Sequence, residues 1–203
     1  MTTKTQPTCY GRPREFDKEQ ALEKALELFW RNGYEGTSLA DLTKAMGINK
    51  PSLYAAFGNK EQLFLQAIEL YEKRPEAYFY SAMKQKTAYL VVRALLNGAA
   101  ASMVNAEHPR GCVVIQGALT CSEASASIKE TLTKLRLDSQ YMLQKRFEQA
   151  KEEGDLPADI NTATFARYIG TVVQGMSVQA SNGASQAELS DVVSMVLQNF
   201  PKS

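Results

Sequence analysis

The chain has 203 residues, 44% apolar and 22% charged, with a formal net charge of +1. That length and mixture suit a soluble globular protein with room for two packed units, and exclude a disordered or fibrous chain. The near-neutral charge also excludes a broadly basic nucleic-acid binder, so any DNA contact must come from a local patch.

The most continuous apolar run, around Gly111–Leu119, is about half the ~20 residues a bilayer crossing needs. The first residues carry no apolar signal core, and a cytoplasmic protein with no membrane partner is expected. Three cysteines, Cys9, Cys112 and Cys121, make no even disulfide framework, which fits a reducing compartment.

Residues 1–13 are polar, with Pro7, Gly11 and Pro13, and read as a flexible basic arm. A DNA-binding unit is expected over 14–74. Asp17 is an N-cap candidate with Gln20 three residues on, and Ala21, Leu22, Ala25, Leu28 and Phe29 follow on one face. That helix ends near Gly33. Thr37 or Ser38 caps a second helix, whose inward residues are Leu39, Leu42 and Met46. Gly47 supplies the left-handed backbone of a tight inter-helix turn. Asn49 caps a third helix; Pro51 is tolerated in its first turn, and Leu53 and Phe57 face inward. Gly58 stops it, and Asn59 with Gln62 forms a capping box for the next.

Two short helices around a glycine turn build a helix-turn-helix, which places the N-terminal end of its second helix in the major groove of DNA. Lys50, Pro51, Ser52 and Tyr54 occupy that end. Lys50 suits a guanine edge or a phosphate, Pro51 a thymine methyl, and the Tyr54 hydroxyl a phosphate. Thr37, Ser38 and Lys60 sit at helix starts, where backbone N–H groups and nearby donors suit an anion. Basic side chains gather in this third of the chain at Arg12, Arg14, Lys18, Lys44, Lys50 and Lys60.

Beyond residue 75 no strand alternation is evident, and residues 75–203 are expected to form an all-helical second domain. Helices are predicted over 76–105, around Cys112–Ser122, over Ser125–Glu153, from Asn161 to Ala180 and from Gln186 to Phe200. Breaks fall at His108–Gly111, Gly154–Pro157 and Asn182–Gly183. The last two long helices carry more apolar surface than one core stripe needs, which predicts a homodimer interface through Ile169, Val173, Met176, Val192, Val196 and Phe200. A pocket for a moderately apolar small molecule is expected among Met83, Tyr89, Met103, Cys112 and Ile115, with Gln116, Leu119, Tyr141, Phe165 and Tyr168.

Residues Ala25, Phe29, Gly33, Tyr34, Thr37, Ser38, Leu39, Gly47, Leu53, Tyr54, Phe57, Lys60, Glu61 and Leu63 make the 14–70 segment resemble the DNA-binding domain of TetR-family bacterial transcription regulators. The second half is similar to a subgroup through Arg110-Gly111-Cys112, the Gly154–Pro157 turn and Gln174-Gly175. The resemblance implies an all-α fold with three N-terminal DNA-binding helices and a C-terminal ligand-binding and dimerisation domain. It implies a homodimeric repressor on a palindromic, double-stranded operator, released by a small-molecule inducer. The positions matching Thr37, Tyr54 and Lys60 would meet phosphate, and those matching Lys50, Pro51 and Ser52 would lie toward bases. Gly11-Arg12-Pro13-Arg14 also resembles the core of an AT-hook, which would put Arg12 and Arg14 toward a minor groove.

Other functions stay open at this stage. One is a DNA-binding interaction protein of the same fold, acting in chromosome organisation or cell division. Another is a thiol-based electrophile sensor, since Arg110 near Cys112 would depress the thiol pKa, against a merely structural buried cysteine. Cys112 and Cys121 are nine apart, on opposite faces of one helix. His108 is the only histidine and Pro109 follows it, so neither a metal site nor a cofactor is expected. No G-x-S-x-G, phosphate loop or histidine cluster points to an enzyme.

Overall fold

The computed structural model describes residues 16–74, 78–120 (side chains to 117) and 125–201. The candidates Arg12 and Arg14, the Leu119 side chain, Cys9 and Cys121 lie outside these. Every element among the described residues is helical.

Local capping chemistry sets the first four helices. Asp17 accepts from the backbone N–H of Glu19 and Gln20 at 2.9 and 3.1 Å, which starts α1 (Lys18–Asn32). Ser38, not Thr37, caps α2 (Leu39–Met46) in a reciprocal box with Asp41. Gly47 takes φ 69° and ψ 27°, the left-handed turn a side chain would strain, and delivers the chain to α3 (Lys50–Phe57). Asn59 and Gln62 box the start of α4 (Lys60–Glu72). Each such cap stabilises its helix by ~1 kcal/mol. The inward faces meet around Phe29, whose ring lies edge-on to Phe64 at 5.0 Å; Leu26, Leu42, Leu53 and Leu63 are fully buried beside them.

The second unit holds α5 (Tyr78–Met83), α6 (Ala88–Met103), α7 (Val113–Thr120), α8 (Ala126–Glu152), α9 (Thr162–Ser181) and α10 (Gln186–Gln198). The helix expected over 76–105 is therefore two. Thr87 caps α6 by accepting from Leu90 N–H, Asp155 accepts from Ala88 N–H at 2.5 Å, and Arg146 donates to the Gln85 and Lys86 carbonyls. These partners satisfy backbone groups that a break in a helix leaves orphaned. They also explain the Gly154–Pro157 turn, which carries Asp155 to the start of α6.

Arg110-Gly111-Cys112 is a staple between helix ends. Arg110 donates to the Ala184 carbonyl at 2.9 Å, Gly111 N–H to Met103 at 2.8 Å, and Cys112 N–H to the buried Ser177 hydroxyl at 3.0 Å. The ends of α6 and α9 and the start of α7 are thereby fixed to one another. A continuous apolar cluster runs through both units, and α1 packs directly on α7.

Candidate nucleic-acid interface and ligand cavity

Helix α3 is held by one face and displayed by the other. Leu53 and Phe57 are buried, four residues apart on the inward side. Lys50, Pro51 and Tyr54 are exposed and Ser52 is half-buried. The Lys50 ammonium lies 5.9 Å from the Tyr54 ring, so a cation and a phenol hydroxyl share the presented edge. Ser38 is exposed at the start of α2.

Thr37 differs from expectation. Its side chain is fully buried, and its hydroxyl donates to the Gly33 carbonyl at 2.7 Å. It ties the end of α1 to the start of α2 and has no exposed surface with which to meet a phosphate. Lys60 is half-buried, 4.3 Å over the Tyr34 ring. Burial pulls its pKa down and the nearby Glu35 partly opposes this.

A cavity of about 190 Å³ lies where α1 and α4 meet the second unit. Its walls come from Trp30 of α1, Tyr71 of α4, Tyr78 and Phe79 of α5, Leu95 of α6, Ile115 of α7, Arg136 and Gln140 of α8, and Gln174 of α9. Trp30 stacks on His108 with centroids 4.5 Å apart and meets Tyr71 edge-on at 5.0 Å. Burial raises the Tyr71 and Tyr78 phenols well above their ordinary pKa, with a further push from Cys112.

Of the ten pocket candidates, Cys112 and Ile115 line this cavity. Met103 and Phe165 belong to the core instead, and Met83 packs half-buried against it. Tyr89, Tyr141 and Tyr168 are exposed on the outside. Gln116 borders a separate, more open hollow beside Trp30 and Arg110. The residues that sequence reasoning missed include Trp30, Tyr71, Tyr78 and Arg136. One signal was available: Arg136 and Gln140 interrupt the buried α8 stripe of Leu132, Leu143 and Phe147 at helical spacing.

The electrophile-sensor reading of Cys112 meets a correction. The thiol is buried, and burial raises its pKa despite a 3.4 Å hydrogen bond from the Tyr71 hydroxyl. Arg110 points to the end of α9, leaving the thiol without the expected guanidinium. No group of histidine, cysteine and carboxylate side chains able to hold a metal occurs among the described residues, and none of their helices is long and apolar enough to cross a membrane.

The dimer candidates also divide. Ile169, Met176 and Val196 are inside the chain's own core, Val173 lines the cavity, and Phe200 meets Tyr89 and Phe165 edge-on. Val192 is exposed, as are Val178 and Met195, at 41%, 42% and 60%. With Tyr168, these are the large apolar side chains left open on α9 and α10 among the described residues.

Known proteins share this arrangement across almost the whole chain. Residues 21–67 match the family described as bacterial regulatory proteins, tetR family, and residues 91–194 match the tetracyclin repressor-like C-terminal domain. The HTH-type transcriptional repressor ComR of Escherichia coli (strain K12) is 34% identical, over 95% of this chain and 92% of its own. BdcR, a repressor from the same strain, is 48% identical over 71 residues, 35% of this chain and 36% of its own. The solved structure of the TetR family regulator CifR, a cysteine-substituted form complexed with 26-base-pair operator DNA, superposes with a TM-score of 0.89 at 38% identity, covering 94% of this chain and all of that one. With both halves matched in order and a relative of this identity along nearly its full length, the chain belongs to the TetR family of bacterial regulators.

Proposed function

We propose that the protein is a transcriptional repressor that binds a palindromic operator as a homodimer and leaves it when a small molecule fills the cavity. The observation that carries the reading is α3, anchored by Leu53 and Phe57 while Lys50, Pro51 and Tyr54 face solvent. That is the disposition a reading helix needs. ComR and BdcR are named as repressors and CifR is described with operator DNA, which supports the same role here. The Val178–Val192–Met195 face suits a symmetric pairing of two copies, which would set two reading helices about 34 Å apart, one turn of DNA.

Release follows from where the cavity lies. Its wall takes Trp30 from α1 and Tyr71 from α4, so a ligand touches the reading unit and the dimerising unit together. Occupancy shifts α4 and changes the spacing of the paired heads, provided the ligand prefers the non-binding spacing. A gel-shift titration on the DNA between this gene and its divergent neighbour tests the reading. Saturable, salt-sensitive binding is expected, and it should weaken when Lys50 and Tyr54 are both replaced by alanine. Unchanged affinity in that double variant would sink it.

A further inference from the structure

We infer that the cavity takes a one-ring aromatic carboxylate, its ring among the cavity's aromatic side chains and its carboxylate on Arg136. The inference rests on the ligand-responsive reading above and adds the chemical class. Size is the first argument. An apolar protein cavity of about 150 Å³ admits benzene, and this one is about 190 Å³, enough for one ring with a small substituent. Trp30, Tyr71, Tyr78 and Phe79 in the wall supply edges and faces that suit such a ring.

Hydrogen-bond accounting is the second. Trp30 Nε1 and Arg136 Nε are buried with no partner among the described residues, although both residues line the same cavity. Buried donors of this kind are normally paired, so two unpaired ones in one wall mark a place for an acceptor. The Arg136 guanidinium donates through Nη2 to the Thr133 hydroxyl at 3.3 Å.

Charge is the third. Among the described residues Arg136 has no carboxylate within ion-pair distance, whereas Arg74, the other guanidinium in the wall, is paired with Glu23 at 2.5 Å. Glu72 also lines the cavity, and its pKa is pushed up by burial and by Glu69. A half-buried arginine with its Nε buried and no counter-charge calls for an anion, and a planar carboxylate matches the guanidinium fork.

Trp30 is the only tryptophan of the chain and stands in the cavity wall, so its emission reads occupancy directly. The full-length protein is titrated with benzoate, phenylacetate and the uncharged isostere benzamide. At least one of the two acids should give a saturable change, with benzoate binding about tenfold or more tighter than benzamide. Arg136→Gln should erase that preference and Arg136→Lys should keep part of it, with helical content checked by circular dichroism. Benzamide binding as tightly as benzoate to the unmodified protein, or no saturable change with either acid, overturns the inference. The same samples on operator DNA separate the two ideas. Benzoate that binds without releasing DNA defeats the ligand-responsive reading and leaves the ligand class standing. Release by benzamide but not by either acid defeats the class and leaves the reading.

Discussion

Gly98→Ala should destabilise the protein, against the sign that helix propensity alone predicts. Gly98 lies inside α6, where alanine is ordinarily worth ~0.8–1.0 kcal/mol over glycine. Here an added Cβ would stand 2.4 Å from Cβ of Tyr78 and 3.0 Å from its Cγ. Carbon atoms rest at ~3.5–4.0 Å, so the shortfall exceeds about 1 Å. The nearer atom is fixed to the backbone of α5 and cannot rotate aside, which forces α5 off α6. Overpacking of this kind costs ~1–3 kcal/mol; a shortfall above about 1 Å against a fixed atom sits at the upper end, and after the propensity gain the net loss is about 1–2 kcal/mol. In a chain of this size that lowers Tm by roughly 2–8 °C. Gly170→Ala is the internal control: its Cβ would meet nothing nearer than Gln140 Oε1 at 3.9 Å, so only the propensity gain remains and Tm should rise. Thermal melts followed by circular dichroism read both. A Gly98→Ala protein melting at or above the wild type would refute the reasoning.

Lys50→Ala should weaken operator binding and flatten the salt dependence by about one unit of slope if the ammonium meets a phosphate; anisotropy titrations at several salt concentrations measure it, and an unaltered slope removes the phosphate contact. Met195→Asp, on the exposed α9–α10 face, should shift the protein toward monomer in sedimentation, whereas the same replacement at the exposed Tyr141 should not; a dimer in both cases would place the interface elsewhere. The raised pKa values of Cys112, Tyr71 and Tyr78, each caused first by burial, set an alkaline limit. Their ordinary values are about 8.5 for a thiol and about 10 for a phenol, and the folded groups hold their protons beyond these. The associated stability is therefore intact below about pH 8 and declines as pH rises and the unfolded chain ionises first. Urea midpoints across that range should fall, and less steeply in Tyr78→Phe; equal slopes in both proteins would contradict the assignment.

What was legible in the sequence follows the range of the interactions. Asp17, Ser38, Asn49, Asn59, Asn161 and Ser185 cap helices by bonds to N–H groups within three residues, so composition near each helix start predicts it. The reading face of α3 was readable for the same reason, since Leu53 and Phe57 fix its rotation by spacing alone. Thr37 was misassigned because a hydroxyl beside a helix start can bond either way along the chain; here it turns back to Gly33. The cavity was mostly illegible. It is assembled from α1 and from α4 through α9, and no local pattern encodes a gap between elements distant in sequence. Aromatic and methionine content pointed to Tyr141 and Met103, one of which faces solvent and the other the core.

Besides the shared apolar cluster, polar and aromatic contacts join the reading unit to the rest, each of a strength suited to switching. Ser125 donates to Glu35 at 2.5 Å and Ser127 to Glu61 at 2.8 Å, both from the start of α8. Trp30 rests on His108. Such hydrogen bonds contribute ~1 kcal/mol each and an aromatic pair ~0.5–1.5 kcal/mol. Breaking two or three of them amounts to a few kcal/mol, the order of a typical coupling free energy between sites of ~1–3 kcal/mol. Arg136 lies nine residues from Ser127 on the continuous helix α8, roughly 14 Å at 1.5 Å per residue. A ligand held on Arg136, as proposed above, would load the same helix whose start holds Glu35 and Glu61. On the proposed reading, a tilt of α8 reaches the head through Glu61 of α4 and through Glu35, which is the shift of α4 that release requires.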